Sequence, residues 1–418
     1  MDRPFLEELF AQAVAAAQPE HAVRNHLPER PRGRTVVIGA GKASAQMARA
    51  FEAAWEGPLS GVVVTRYGYG ASCKRIEIIE AAHPVPDEAG LLAARRLVET
   101  ISGLGPDDLV VALISGGGSA LLPAPAPGLT LADEQAINEA LLASGAPIGV
   151  MNLIRNQFSR LKGGRLGALA SPARVATLVV SDVPGDDPAI VASGPTVPMG
   201  GSRLLARKYV ELYRIDLPAA ARTLLAGEDN PAPLPDDPAF ARNSVATIAS
   251  AAISLEAAGA LAHQRGIGAA VLSDAIEGEA RDVGLVHAAL AREVATRNRP
   301  FNKPVVLLSG GETTVTLRSK SGRGGRNVEF LLSLAIAIDG VEGISALAAD
   351  TDGIDGSGDN AGAFADGTSA ARMRQAGIDP QAALGANDAY GAFAAIGDLV
   401  VTGPTGTNVN DFRAILVR

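Results

Sequence analysis

The chain has 418 residues, of which 47% are hydrophobic and 4% aromatic, and its formal net charge is −8. This length exceeds one ordinary domain, so we expect two or three. The acidic balance argues against a general nucleic-acid or membrane-surface binder, which would carry a net basic face. Cys73 is the single cysteine, which excludes a disulfide framework or a cysteine-based zinc site within one chain.

The N-terminal half predicts strands and helices in alternation, after a first helix over 4–26. Strands are expected at 35–39, 61–65, 76–80, 109–114 and 175–181. Amphipathic helices are expected at 42–55, 88–102, 133–143 and 152–169. This rhythm predicts an α/β fold with a doubly wound, mostly parallel Rossmann-like sheet. The start of the chain has no signal pattern and no apolar stretch reaches membrane-spanning length, so a cytoplasmic protein is expected.

A stretch rich in Pro and Asp over 227–242 predicts a linker. We therefore expect an N-terminal domain over 1–240 and a C-terminal α/β domain over 241–418. Strands of the second domain are expected at 244–249, 268–273, 304–309, 313–318, 344–350, 398–402 and 412–417. The runs 304–309 and 313–318 are close enough for a hairpin, which predicts a mixed sheet.

Three β-branched, apolar runs end abruptly in glycine-rich loops, and this is the strongest functional signal in the sequence. The loops are Gly39-Ala40-Gly41-Lys42, Ser115-Gly116-Gly117-Gly118-Ser119 and Ser309-Gly310-Gly311-Glu312-Thr313. A strand, a glycine turn and a helix form an anion cradle in α/β proteins, because free N–H groups and the positive helix end converge. Phosphate is the leading candidate for the anion.

The first loop departs from two common nucleotide motifs. Ser44 stands where a dinucleotide fingerprint has its third glycine, and the next strand ends at Arg66 rather than an acid. Val36 stands where a Walker A loop has its first glycine. Lys42 at the helix start predicts contact with a phosphate or carboxylate. A tight turn with a solvated lysine is the alternative.

The loop 115–119 is a stronger signal, because three consecutive glycines lose backbone entropy unless a ligand must approach closely. Arg326 opens a predicted helix over 327–338, where the helix dipole disfavours a cation. An anion-binding role for Arg326 is therefore expected, since a guanidinium can bind carboxylate or phosphate through two hydrogen bonds.

Two acidic loops follow strands, at 181–188 and 350–359. The second has the Asp spacing of a calcium loop, but Ala361 replaces its closing Glu, which excludes an EF-hand. These Asp residues either hold Mg²⁺, accept a proton from a hydroxyl, or only cap and turn the backbone. The loop 402–411 suits a polyhydroxylated or phosphorylated ligand. The histidines do not cluster, and His83 is interpreted as a structural hydrogen-bonding residue.

The three loops, together with Gly324-Gly325-Arg326-Asn327, Thr351-Asp352-Gly353-Ile354-Asp355-Gly356 and Gly406-Thr407-Asn408-Val409-Asn410-Asp411, resemble the glycerate 2-kinases with a C-terminal MOFRL domain. The resemblance implies two α/β domains with the active site in the cleft between them. It also implies phosphorylation of D-glycerate to 2-phospho-D-glycerate with ATP and a divalent metal. Members are also catalogued as hydroxypyruvate reductases, so an NAD(P)H-dependent reductase stays the alternative. A non-catalytic sugar-phosphate sensor would use the same cradles.

The resemblance places the family's important positions at Lys42, Glu312, Arg326, Asp352 and Asn408, and the other site residues follow from the glycine-rich and acidic loops. Those expected to be catalytic are Lys42, Arg326 and Asp352. Those expected to bind substrate are Ser115, Glu312 and Asn408. Those expected to bind ATP are Gly39, Gly41, Gly116, Gly117, Gly118, Ser119, Gly310 and Gly311. Those expected to hold Mg²⁺ are Asp182 and Asp187. The oligomeric state, a homodimer included, stays open.

Overall fold

The computed structural model describes residues 2–227, 232–319 and 322–418. The strands are β1 Thr35–Ala40, β2 Ser60–Arg66, β3 Ile76–Ala81, β4 Leu109–Ser115, β5 Arg174–Val180, β6 Ser244–Ala249, β7 Gly268–Ser273, β8 Gly278–Glu279, β9 Val305–Gly311, β10 Thr313–Thr314, β11 Ile344–Asp350, β12 Gly362–Asp366, β13 Leu399–Val400 and β14 Asp411–Val417. The helices are α1 Arg3–Ala16, α2 Pro19–Arg24, α3 Ser44–Ala54, α4 Glu88–Ile101, α5 Gly118–Leu121, α6 Leu131–Ala143, α7 Ile148–Asn156, α8 Arg165–Leu169, α9 Arg203–Leu212, α10 Ala219–Ala226, α11 Ala251–Gln264, α12 Ala280–Arg297, α13 Arg326–Ala337, α14 Ser369–Gln375, α15 Pro380–Gly385 and α16 Ala389–Ala395.

The described chain forms two compact units: the N-terminal unit, residues 19–248, and the C-terminal unit, residues 2–18 with 249–418. In the N-terminal unit, six strands form one sheet in the order β3-β2-β1-β4-β5-β6. The pairs among β1 to β5 are parallel. Every residue of β1 and β4 is buried, as expected of parallel strands covered on both faces. The predicted doubly wound sheet is thus confirmed.

The strand order reverses between β1 and β4, which are neighbours although β2 and β3 lie between them in sequence. Doubly wound sheets bind ligands outside the carboxyl ends of the strands at this switch point. Two of the three glycine loops, at 39–42 and 115–119, follow these two strands. The fold therefore brings both loops to the position where a ligand is expected.

The C-terminal unit has a mixed sheet in the order β13-β12-β11-β14-β9-β7. Only β7 and β9 pair in parallel among the pairings described for this sheet. Alternate residues of each strand pack on opposite faces: Leu307 and Ile415 against α12 and α13, and Leu308 and Phe412 against α1 and α11. The strand pairing confirms the predicted mixed sheet, and the period of two places helices on both of its faces.

The units differ from the predicted boundaries 1–240 and 241–418 at two places. Helix α1 packs on the C-terminal sheet, where the rings of Phe10 and Phe412 lie 5.7 Å apart. The buried apolar side chains of α1 account for this, since they need a sheet face to cover. Strand β6, assigned from sequence to the second domain, is the edge strand of the first sheet.

Some predicted elements were wrong in length or pairing. The helix over 4–26 is two helices, α1 and α2, and the helix over 152–169 is α7 and α8 with a turn between them. The predicted hairpin is absent from this part of the described chain, because β10 pairs with β8 in parallel. The strand over 398–402 is reduced to β13. Of the predicted linker 227–242, residues 228–231 lie outside the described residues. Among the residues described, no helix is both long and apolar enough to cross a membrane.

Candidate active site

The loop after β1 uses its backbone donors within the protein. The N–H of Lys42 donates to the carbonyl of Gly116 at 2.9 Å, and the N–H of Ala43 donates to Ser115 Oγ at 3.0 Å. The N–H groups of the flanking residues 41 and 44 also donate to backbone carbonyls of the same unit. The amides of Lys42 and Ala43 thus join the loop to its neighbour after β4, and all four amides already donate to protein groups.

Close packing explains the glycines of this loop. A Cβ on Gly39 would lie 2.5 Å from the carbonyl oxygen of Leu113, and a Cβ on Gly41 would overlap Ser115. Gly41 also has a φ of +144°, a conformation that side chains rarely adopt. Binding of ATP by Gly39 and Gly41 stays a prediction, and the geometry gives them a packing role between β1 and β4.

The loop after β4 offers the donors that the first loop lacks. Within the described ranges, no group accepts a hydrogen bond from the N–H groups of residues 116–119. Gly117 has a φ of +78°, and a Cβ there would lie 2.9 Å from His83 Nε2 and 3.0 Å from Lys42 Cε. Open amides, a lysine and a histidine therefore meet at Gly117. Such an arrangement of donors and positive charge suits an anion.

The electrostatics of this place favour an anion. Burial and the positive charges of Lys42 and Arg66 lower the pKa of His83 to about 4. His83 is therefore neutral at physiological pH, beside two cations. Sequence reasoning gave His83 a purely structural role. The missed signal is that Arg66 ends β2 and His83 follows β3, so both lie at the same sheet edge as the glycine loops.

Of the two predicted metal ligands, only Asp182 lies against the loop after β4. A Cβ on Gly116 would overlap the Asp182 carboxylate. Asp187 instead accepts a hydrogen bond from the N–H of Ala189 at 2.9 Å, in its own turn. The described residues contain no cluster of three metal-ligating acids, His or Cys. Mg²⁺ commonly uses only one or two carboxylates with substrate phosphates, so the position of Asp182 fits that chemistry, and metal binding by either Asp stays a prediction.

Ser115, expected to bind substrate, forms hydrogen bonds with the residues that follow β1. Its Oγ accepts from the N–H of Ala43 and lies 3.1 Å from the Oγ of Ser44. Ser115 is buried. Its hydroxyl therefore joins the β1 and β4 loops, and its contact with a substrate stays a prediction.

In the C-terminal unit, Gly310 and Gly311 are the last residues of β9 rather than loop residues, and both pack against other protein groups. A Cβ on Gly311 would overlap the backbone of Ile276. The carbonyl of Gly310 accepts hydrogen bonds from the N–H of Ile276 at 3.2 Å and from Arg413 Nη1 at 3.1 Å. ATP binding by Gly310 and Gly311 stays a prediction, and the contacts seen here are with protein groups.

Arg326 binds three carboxylates, which we call the acidic cluster: Glu312, Asp350 and Asp411. The distances from its guanidinium nitrogens are 2.8 Å to Glu312, 2.6 Å to Asp350 and 2.6 Å to Asp411. Burial opposes its charge, but the three acids outweigh burial and raise the pKa of Arg326. The protein's own acids already compensate its charge, and binding of a ligand anion by Arg326 stays a prediction.

The acidic cluster is continued by Asp352. The N–H of Asp352 donates to Asp350 Oδ1 at 3.1 Å, and burial raises the pKa of Asp350 well above its ordinary value. Asp352 is half-buried, and its Oδ1 accepts from the N–H of Ile354 at 2.8 Å. Asn408 Oδ1 accepts from the N–H of Asn410 at 3.0 Å. Asp352, Glu312 and Arg326 are thus brought together, and Asn408 lies in the loop before β14.

Sequence reasoning gave no role to Asp411 or Arg413, and it treated Asp350 only as one Asp of the loop 350–359. Asp350 ends β11 and Asp411 begins β14, and the two are directly paired in the sheet. Arg413 is fully buried and binds the second oxygen of Asp411. The usable signal was a charged residue at the end of an otherwise apolar strand. The contact between Asp350 and Asp411 depends on the pairing of β11 with β14, which could not be predicted from the sequence.

Comparisons with known proteins agree with the fold and the motifs. The MOFRL family model matches residues 305–411, and a domain of unknown function, DUF4147, matches residues 5–226. A glycerate 2-kinase of Pyrococcus horikoshii is 40% identical over 98% of this chain and 96% of its own. The chain belongs to the glycerate 2-kinase family with a C-terminal MOFRL domain.

Two further relatives bear on activity within this family. A crystal structure of glycerate kinase from Thermotoga maritima superposes with a TM-score of 0.91 at 37% identity, covering 99% of both chains. A protein of Agrobacterium vitis named putative hydroxypyruvate reductase is 54% identical over 99% of this chain and 94% of its own. The kinase relatives confirm the prediction of a kinase-class enzyme. The names glycerate kinase and putative hydroxypyruvate reductase correspond to the two reactions considered from the sequence.

Proposed function

We propose that the protein transfers the γ-phosphoryl group of ATP to the 2-hydroxyl of D-glycerate, giving 2-phospho-D-glycerate and ADP. The observation that carries this proposal is the set of open N–H groups of residues 116–119 beside Lys42, at the switch point of β1 and β4. Phosphoryl transfer needs positioning and positive charge more than covalent chemistry. The names of the relatives from Pyrococcus and Thermotoga supply the acceptor.

The proposed nucleotide site follows from this loop. Its amides would bind phosphate oxygens, and Lys42 would neutralise charge that develops on the transferring group. Asp182 would hold Mg²⁺, which supplies further charge neutralisation to the phosphates when bound. His83, kept neutral, adds a hydrogen-bonding side chain without adding charge.

The proposed acceptor chemistry belongs to the acidic cluster. Asp352, half-buried next to Asp350, would orient the 2-hydroxyl of glycerate and accept its proton. Arg326 would act through its partners, by holding Glu312 and Asp350 in position. Substrate contacts of Glu312 and Asn408 are part of this proposal. An active site in the cleft between the domains, a homodimer and a cytoplasmic location stay predictions.

The reductase alternative rests on the Agrobacterium relative's name. A dinucleotide would need the amides after β1, which here donate to protein groups. One paired assay tests the choice: ADP release with D-glycerate beside NAD(P)H oxidation with hydroxypyruvate, both on pure protein. Robust NAD(P)H oxidation without ATP turnover would refute the kinase proposal. Binding of ATP and glycerate with neither turnover would favour a sensor.

A further inference from the structure

Arg155, near the end of α7, is buried among neutral partners. Its Nε donates to Asn138 Oδ1 at 2.9 Å, and its Nη1 donates to Asn152 Oδ1 and, at 3.4 Å, to Ser193 Oγ. The residue is only 9% exposed. Its second amino group, Nη2, donates to none of the described residues. A buried guanidinium with a spare donor group is unusual, because burial of a charge normally requires a counter-charge.

The nearest carboxylate is already used. Glu134 forms a buried ion pair with Lys162 at 2.6 Å, and its other oxygen accepts from the N–H of Ala124 at 3.1 Å. No carboxylate lies within ion-pair distance of Arg155 in the described parts of the chain. Two buried cations therefore share one anion, and burial lowers the pKa of Arg155 to about 10. The surplus positive charge lies with Arg155.

A short chain of hydroxyl groups joins Arg155 to the loop after β4. Ser193 Oγ donates to Asn152 Oδ1 at 3.0 Å and lies 2.5 Å from Ser119 Oγ. Ser193 has a φ of +61°, a strained conformation for a residue with a side chain. A strained backbone that presents a hydroxyl to a loop with open amides is typical of ligand sites.

We propose that Arg155, Ser193 and Ser119 form, with the N–H groups of residues 116–119, a subsite for an anionic oxygen group. The shared chemistry is a carboxylate or phosphate that receives a charge-assisted hydrogen bond from Arg155 Nη2. Assignment of the group to glycerate or to ATP rests on the proposed function. The bound anion would supply the counter-charge that Arg155 lacks among its protein neighbours. Arg326, by contrast, has three carboxylate partners within the protein.

The test compares R155Q with R155K and with R95Q, which makes the same change at an exposed arginine of α4. Equilibrium binding of D-glycerate and of ATP is measured separately, with thermal midpoints. We expect R155Q to lose about tenfold or more in affinity for one of the two ligands, as for a lost charge-assisted bond. R155K should recover part of that loss, because it keeps the charge, and R95Q should bind as the wild type does.

The outcomes separate the sources of the anion. Selective loss of glycerate affinity assigns a carboxylate, and selective loss of ATP affinity assigns a phosphate. Unchanged affinity for both ligands in a folded R155Q overturns the inference, as does an equal loss for both together with a lower thermal midpoint. If R155Q does not fold, S119A decides by the same criteria. Wild-type protein that binds both ligands without turnover refutes the proposed function and leaves the subsite testable.

Discussion

The runs 115–117 and 309–311 share the sequence Ser-Gly-Gly at the end of an apolar strand, yet they lie beside different sets of charged side chains. At Gly117 the neighbours are Lys42 and His83, with the charge of Arg66 nearby. At the loop after β9, Glu312 is part of the acidic cluster around Arg326. The backbone differs too, because Gly310 and Gly311 are strand residues paired with β14, whereas Gly117 lies in a turn with a φ of +78°. Charge, rather than the glycine pattern, indicates which loop suits phosphate.

The largest expected effect is at Arg326. R326A removes the counter-charge of three acids, two of them buried. Breaking a buried ion pair from one side costs about 3–5 kcal/mol, so we expect a clearly lower thermal midpoint with loss of turnover. R323A, at the exposed arginine of the same loop that stacks on Tyr390, is the control. A normal midpoint in R326A would contradict a role for Arg326 in holding the acids.

Lys42 gives the contrasting case, because it forms no ion pair within residues 2–227, 232–319 and 322–418, and its described contact with the loop after β4 is made by its backbone N–H. K42A should lower turnover about 10²–10³-fold, the typical effect of losing one donor to the transition state. The thermal midpoint should change little. K208A, at an exposed lysine of α9, should turn over as the wild type does. Steady-state kinetics with D-glycerate check this, and near-normal turnover in K42A would remove Lys42 from the mechanism.

Gly117 tests the backbone of the same loop. G117V introduces a Cβ against His83 and Lys42 at a φ of +78°, so ATP affinity should fall by about tenfold or more where phosphate contacts its amide. Gly145 has a φ of +66° with open space around it, so G145V carries similar strain without the contact. Equal ATP affinity in folded G117V and in G145V would mean that the loop is structural only.

The smallest effect is a pH dependence. The pKa of His83 is lowered to about 4 by burial and by neighbouring cations, and the unfolded chain has an ordinary value of about 6.5. Between these values the unfolded chain binds more protons, so this contribution to stability is complete above pH 6.5 and lost as pH falls towards 4. Denaturant unfolding across this range should therefore show a shallower decline in H83Q than in the wild type. The exposed H263Q serves as control, and an unchanged decline in H83Q would contradict the shift.

The strands were predictable from the sequence because β-branched, apolar stretches such as Val36 to Ile38 strongly favour buried strands. The glycine-rich loops at the strand ends were predictable because runs of glycine interrupt regular secondary structure. The charges that distinguish the loops were not: Asp350 meets Asp411 across two paired strands, and Arg155 reaches Ser119 through Ser193. These contacts join residues 61 and 36 positions apart. Periodicity and spacing carry no information about such pairings.

The position of α1 has a consequence for how the chain is made. Two of its partners in the core, Leu308 and Phe412, follow it in the chain only after the whole N-terminal unit. Domains fold largely as units during synthesis. Helix α1 is therefore synthesised first, but the C-terminal sheet that it packs against is complete only after the entire N-terminal unit has been made. A fragment starting at residue 249 would expose the apolar face that α1 covers. Grafting residues 2–18 onto that fragment offers a way to produce the C-terminal unit alone.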